Sequence, residues 1–155
     1  MAIKMPSGLS RSMAAVMLVI GLMYFGAFEF LREGGRRPYI IYDYMYSNSI
    51  LKSDVANVAH AGVLQEGKWI ENRHVTEDNY KAAGRELFDT LCLSCHSVGG
   101  VLNDIGQQTR KNSPEELNLI FATMGKERPY MPPFPGNEME KELLIDYLNT
   151  VMRNE

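Results

Sequence analysis

Residues 12–31 read SMAAVMLVIGLMYFGAFEFL, twenty residues interrupted by a single charge, Glu29. As an α-helix rising about 1.5 Å per residue, the run extends about 30 Å, the thickness of bilayer hydrocarbon. Lipid offers no partners to peptide N–H and C=O groups, so such a stretch is stable there only as a helix. The pattern predicts a transmembrane helix over 12–31, with a short N-terminal segment over 1–11 and a domain beyond. A cleaved signal peptide is the competing reading, with Lys4 and Arg11 as its basic start. The lack of a small-x-small cleavage site in YFGAFEF weighs against it. Charge alone does not orient the span, because Lys4 and Arg11 face Arg32, Arg36 and Arg37 across it.

The remainder is long enough for one domain, and its charge limits what that domain binds. Residues 1–37 hold 5 of the 16 basic and 2 of the 19 acidic residues, which leaves 11 basic against 17 acidic residues over 38–155. A mildly acidic domain lacks the basic face that a nucleic-acid partner requires. Residues 32–76 read as an interfacial connector. Tyr39, Tyr42, Tyr44 and Tyr46 fall within eight residues, as in an aromatic belt at a membrane surface or a docking surface for a partner subunit. A short helix capped by Ser53 is expected to end near Gly62, and Trp69 and Ile70 are expected to tuck under the domain.

The two cysteines of the chain stand together in LCLSCH, residues 91–96. A helix is expected from about Asp78, with Ala82, Leu87 and Leu91 on its buried side, and it runs into this motif. Cys92 and Cys95 lie three residues apart on a helical turn, so both sulfurs emerge on one side and can reach the two vinyl groups of one porphyrin. His96 then presents an imidazole to the iron, which is why Cys-x-x-Cys-His reads as c-type haem attachment. A thioredoxin-like dithiol requires a βαβ setting that this sequence does not display. A structural zinc site requires four ligands, and only His60 and His74 remain as further imidazole or thiolate donors.

An electron carrier needs a sixth ligand, usually Met or His. Met131 in RPYMPPFPGN is the preferred candidate, because Pro132 and Pro133 stiffen the loop that would present the sulfur. His60 and His74 are its rivals. Met124 closes a helix that starts with Ser113, Pro114 and Glu116 as a capping box, and Met139 and Met152 sit in the last helix, where packing or exposure accounts for them. Asn137 and Glu140 form a second capping box at the start of that helix.

Over about residues 78 to 153 the chain resembles class I cytochrome c. Gly84 and Phe88, the motif Cys92-x-x-Cys95-His96, Met131-Pro132-Pro133-Phe134 and Tyr147 occur in that family's order. The resemblance implies a mainly α protein, one N-terminal transmembrane helix followed by a small all-α cytochrome c domain over 77–155, whose first and last helices cross at Gly84 and Tyr147. It implies one haem c, covalent through Cys92 and Cys95, with the iron held by His96 and Met131. The Gly-Pro-x-Leu-like turn common after the haem motif is replaced here by VGGVLNDIGQQTRKNS.

The layout is similar to the small subunit of nitric oxide reductase, and residues 32–46 resemble a stretch following a transmembrane helix in the large subunit of bd-type quinol oxidases. These likenesses imply an electron-transfer subunit, not itself an enzyme, in a quinol-oxidising or oxygen-reducing respiratory complex, or in a photosynthetic one. An independent membrane-tethered shuttle and a haem-based redox or gas sensor are the alternatives. Covalent haem attachment in the bacterial systems that this motif resembles takes place outside the cytoplasmic membrane, so the haem domain is expected on the periplasmic side. Lys81, Arg85, Arg110, Lys111, Lys126 and Arg128 flank the expected haem segments; they form an ordinary solvated surface or a basic ring that guides a soluble electron carrier.

Overall fold

The computed structural model describes residues 10–101 and 103–153. It divides into two compact units, residues 1–37 and 38–155. Residues 1–9, most of the expected N-terminal segment, lie outside the described part.

Among its described residues the first unit holds the helix α1 (Arg11–Gly34), of 24 residues. Ser10 caps it by accepting a hydrogen bond from Met13 N–H at 3.1 Å. No residue of α1 is buried, and its mean hydropathy reaches 2.0 over an 18-residue window. It is therefore long and apolar enough to cross a membrane, as a single-pass anchor does. Arg32 pairs with Glu29 and Glu33 at its C-terminal end, which neutralises the acids closest to the apolar run.

The second unit begins at Pro38. It opens with an antiparallel hairpin, β1 (Met45–Ser47) and β2 (Ile50–Leu51). Among the described residues there follow α2 (Val55–Ala61), α3 (Val63–Glu66), α4 (Tyr80–Leu91), α5 (Ile105–Thr109) and α6 (Pro114–Thr123). The last is α7 (Glu138–Arg153). The unit is thus mainly helical, as the pattern predicts. α7 packs against α4, α5 and α6, and Leu87, Phe88, Leu117, Leu143 and Leu144 are fully buried among them. Burial of such side chains contributes about 1.5–3 kcal/mol each, and this contact holds the bundle together.

α4 and α7 cross where Gly84 lies. A methyl group there would stand 2.9 Å from Tyr147 Cβ and 3.3 Å from the Leu143 carbonyl oxygen. The Phe88 and Tyr147 rings meet beside it, centroids 5.8 Å apart. Gly84→Ala gains helix propensity but forces the two backbones apart, so a net loss of about 1–3 kcal/mol is expected in thermal or denaturant melts.

Three local expectations need correction. On α4 the buried face is Ala83, Gly84, Leu87 and Phe88, and Ala82 points outward. Trp69 is 93% exposed, whereas its neighbour Ile70 packs on the core. Ser53 does not cap α2; its hydroxyl donates to Asp54 Oδ1, and Asp54 occupies the cap position.

Residues 38–76 pack as part of the same unit as the helices. Val58, Val63 and Leu64 belong to its core. Two carboxylates tie this segment down. Glu140 of α7 accepts the N–H groups of Val63 and Leu64, each at 2.8 Å. Glu86 of α4 accepts the N–H groups of Glu71 and Asn72, at 2.6 and 2.9 Å, and the Asn72 amide at 2.8 Å.

Burial by itself raises the Glu86 carboxyl, but the N–H groups of Glu71 and Asn72, the Asn72 amide and the charge of Arg73 bring it below its ordinary value. A value depressed in the folded state gives stability that is complete above the unfolded value, about 4.3, and is lost as pH falls through the native value. Glu86→Gln is therefore expected to flatten the acid side of the stability profile, read as a smaller drop in melting temperature between about pH 6 and about pH 3 than in the wild type.

Candidate functional site

α4 ends at Leu91, and the cysteine motif follows as a tight turn. The N–H groups of Cys95 and His96 both donate to the Cys92 carbonyl, at 3.0 and 2.8 Å. This turn places Cys92, Cys95 and His96 on the wall of one cleft. Both cysteines are free and partly buried. Desolvation, then the neighbouring Cys95 and Asp89, push the Cys92 thiol up to about 12.

The His96 imidazole is oriented from behind. Its Nδ1–H donates to the Asn103 carbonyl at 2.9 Å, because a carbonyl oxygen can only accept. Nε2 is then the ring nitrogen that could face a metal. Asn103 also donates from its side chain to the Cys95 carbonyl at 3.2 Å. Asp104 secures the loop by accepting the N–H groups of Gly99 and Gly106, at 3.0 and 3.2 Å. The segment that departs from the family's usual turn thus still supplies an acceptor for the histidine.

The opposite wall comes from the end of α6 and the proline-rich loop. Phe121, Met124, Tyr130, Met131, Pro132, Pro133, Phe134 and Pro135 line the same cleft, joined by Pro38, Ser47, Leu91 and Ser94. Phe121 and Phe134 meet edge to face with ring centroids 5.5 Å apart. Gly125, at φ +79°, follows Met124; a methyl group there would lie 2.7 Å from Pro133 Cγ. Its absence lets the two segments close up.

The lining of the cleft is mostly apolar, as in cofactor sites. The donors in it suit a c-type haem: two thiols on one turn, an imidazole held through Nδ1, and two methionines lining the same cleft. Cys92, Cys95 and His96 are brought together as expected, and Met131 stands on the same cleft. Met124 lines it too, which its place at a helix end did not suggest. His60 is exposed on α2, and His74 lines a different cleft with Gln65 and Met139. The side chain of Met152 lies outside the described residues. Among the described residues no three His, Cys, Asp or Glu side chains converge as a set of metal donors.

Sequence reasoning did not find Asn103, Pro38 or Ser47. Asn103 acts through its backbone carbonyl, which every residue possesses, and Pro38 and Ser47 reach the cleft only through long-range folding.

Residues 79–148 match the family model described as cytochrome C oxidase, cbb3-type, subunit III. No curated protein and no solved structure gives a significant match. With the matched family, the helical architecture and the apolar N-terminal helix taken together, the chain carries a class I cytochrome c domain, a haem-based electron-transfer module, behind a candidate membrane anchor.

Proposed function

We propose that this protein is a membrane-anchored electron-transfer subunit of a respiratory oxygen-reducing or quinol-oxidising complex. The observation that carries the reading is the cleft on which Cys92, Cys95, His96 and Met131 all open. One haem c would be fastened through Cys92 and Cys95, with its iron held by His96 and Met131, and would supply a one-electron couple whose potential the methionine raises. The chain's own residues hold His96 through Asn103, surround the cofactor with proline and aromatic side chains, and leave Tyr130 of the cleft 90% exposed as an edge for exchange with a partner.

The name of the matched family, an oxidase subunit, favours a complex over an independent shuttle. Haem c attachment outside the bacterial cytoplasmic membrane puts the N-terminus of α1 on the cytoplasmic side and the domain on the periplasmic side. Lys126 and Arg128, both exposed in the turn between Met124 and Tyr130, are placed to guide an acidic carrier, and transfer rates that fall with ionic strength are expected for such steering.

Purification in mild detergent tests the reading. Recovery with haem-containing integral subunits supports the complex, and a single 17.5 kDa component points to a shuttle. Strong carbon monoxide binding by the reduced wild-type protein at neutral pH would contradict His/Met ligation and favour a gas sensor.

A further inference from the structure

The strap formed by residues 38–51 touches both walls of the cleft, and nothing in the haem motif accounts for it. Its hairpin pairs Met45 with Leu51 and Ser47 with Ile50, so Tyr46 is an extra residue bulged out of the ladder. A bulge of this kind re-aims a side chain. The Tyr46 hydroxyl donates to the Pro133 carbonyl at 2.7 Å, across 87 residues of sequence. Two residues along, the Asn48 amide donates to the Leu91 carbonyl at 3.2 Å. Leu91 is the last residue of α4, directly before Cys92.

Two further features mark the strap as held under constraint. Asn48 and Ser49, at φ +44° and +71°, form the two-residue turn of the hairpin, which calls for positive φ, whereas Tyr39, at φ +56°, takes a left-handed conformation that is uncommon for a bulky residue. Such residues persist where the surroundings over-determine them. Ser47 is buried and lines the cleft together with Pro38, and the Asn48 N–H closes the strap on the Pro38 carbonyl at 2.8 Å. The Met131 loop, in turn, has few backbone donors of its own. Pro132, Pro133 and Pro135 carry no N–H, and within the loop the Met131 N–H reaches only back to Arg128, at 2.9 Å.

We infer that the strap is a two-ended clamp in which Tyr46 and Asn48 are positioning residues, holding the Met131 loop and the cysteine turn at a fixed separation so that the sulfur stays on the iron. The inference rests on the reading of Met131 as ligand. A hydrogen bond of this type is worth about a factor of five to ten in an equilibrium constant, and the clamp sets how readily an external ligand displaces the sulfur.

The test uses the full-length haem-loaded protein in detergent. Tyr46→Phe keeps the ring and removes the hydroxyl; Asn48→Gly removes the amide and keeps the left-handed turn open to its backbone. Each is expected to raise the apparent affinity of the ferrous protein for carbon monoxide about five- to tenfold over its weak wild-type value. Tyr46→Phe is also expected to speed amide deuterium uptake over residues 128–135 and to weaken the red sulfur-to-iron(III) absorption. Tyr42→Phe serves as the control, because Tyr42 is in the same strap and 92% exposed; it should match the wild type. Wild-type affinity and wild-type deuterium uptake in either clamp variant would overturn the inference while the Met131 reading stands. A wild-type protein without the sulfur-to-iron(III) absorption would remove that reading, and the inference with it.

Discussion

Glu140→Ala is expected to destabilise the domain by about 3 kcal/mol or more, read as a fall of roughly 10 °C in melting temperature. The Glu140 side chain is 1% exposed and accepts three backbone N–H groups, from Val63, Leu64 and Asn137, at 2.8, 2.8 and 3.3 Å. Alanine strands the first two in an apolar setting, and each buried donor without an acceptor costs about 1–3 kcal/mol. Glu140→Gln retains one carbonyl oxygen and should lose about half as much. The loss is expected to appear first as exposure of residues 55–75, because Glu140 fastens the start of α3 to α7. A melting temperature within a degree of wild type would show that these bonds are not formed in the folded protein.

The second large effect is expected at the iron. Met131→Leu removes the proposed sulfur ligand while keeping most of the volume, so the reduced protein should bind carbon monoxide strongly and the potential should fall. The fall is on the order of 0.1 V, within the ~0.8 V range that axial ligation spans. Met131→His should restore six ligands and abolish carbon monoxide binding, yet lower the potential, since methionine favours ferrous iron more than imidazole does. Met124→Leu is the decisive companion, because Met124 lines the same cleft. If Met124→Leu opened the iron and Met131→Leu did not, the ligand would be Met124.

Patterns confined to a few residues were legible in the sequence. The Cys92-x-x-Cys95-His96 motif, the apolar run, the Ser113–Glu116 box and the Asn137–Glu140 box all depend on spacing within one or two turns, and the structure contains each. The Gly84 crossing was also legible, because a family likeness supplied its partner, Tyr147.

What was not legible depends on long-range placement. Glu140 is a capping residue by pattern, and no local signal tells that its carboxylate also reaches residues 76 and 77 positions back. Tyr46 reads as one of four similar tyrosines, and only the bulge directs it to Pro133. The inward choice of Ala83 over Ala82 follows from the backbone approach at Gly84, since a shift of one residue turns a helix face by about 100°. Trp69 was expected to tuck under the domain with Ile70, yet large aromatic residues are often incompletely buried, and of the two it is Ile70 that packs on the core.

The central claim is that one porphyrin is bonded to both sulfurs of the chain, and intact-mass spectrometry of the denatured protein tests it most directly. A mass equal to the polypeptide plus one haem, with neither Cys92 nor Cys95 alkylated by a thiol reagent, is the expected result. A colourless chain at the polypeptide mass, with both thiols open to alkylation, would contradict it.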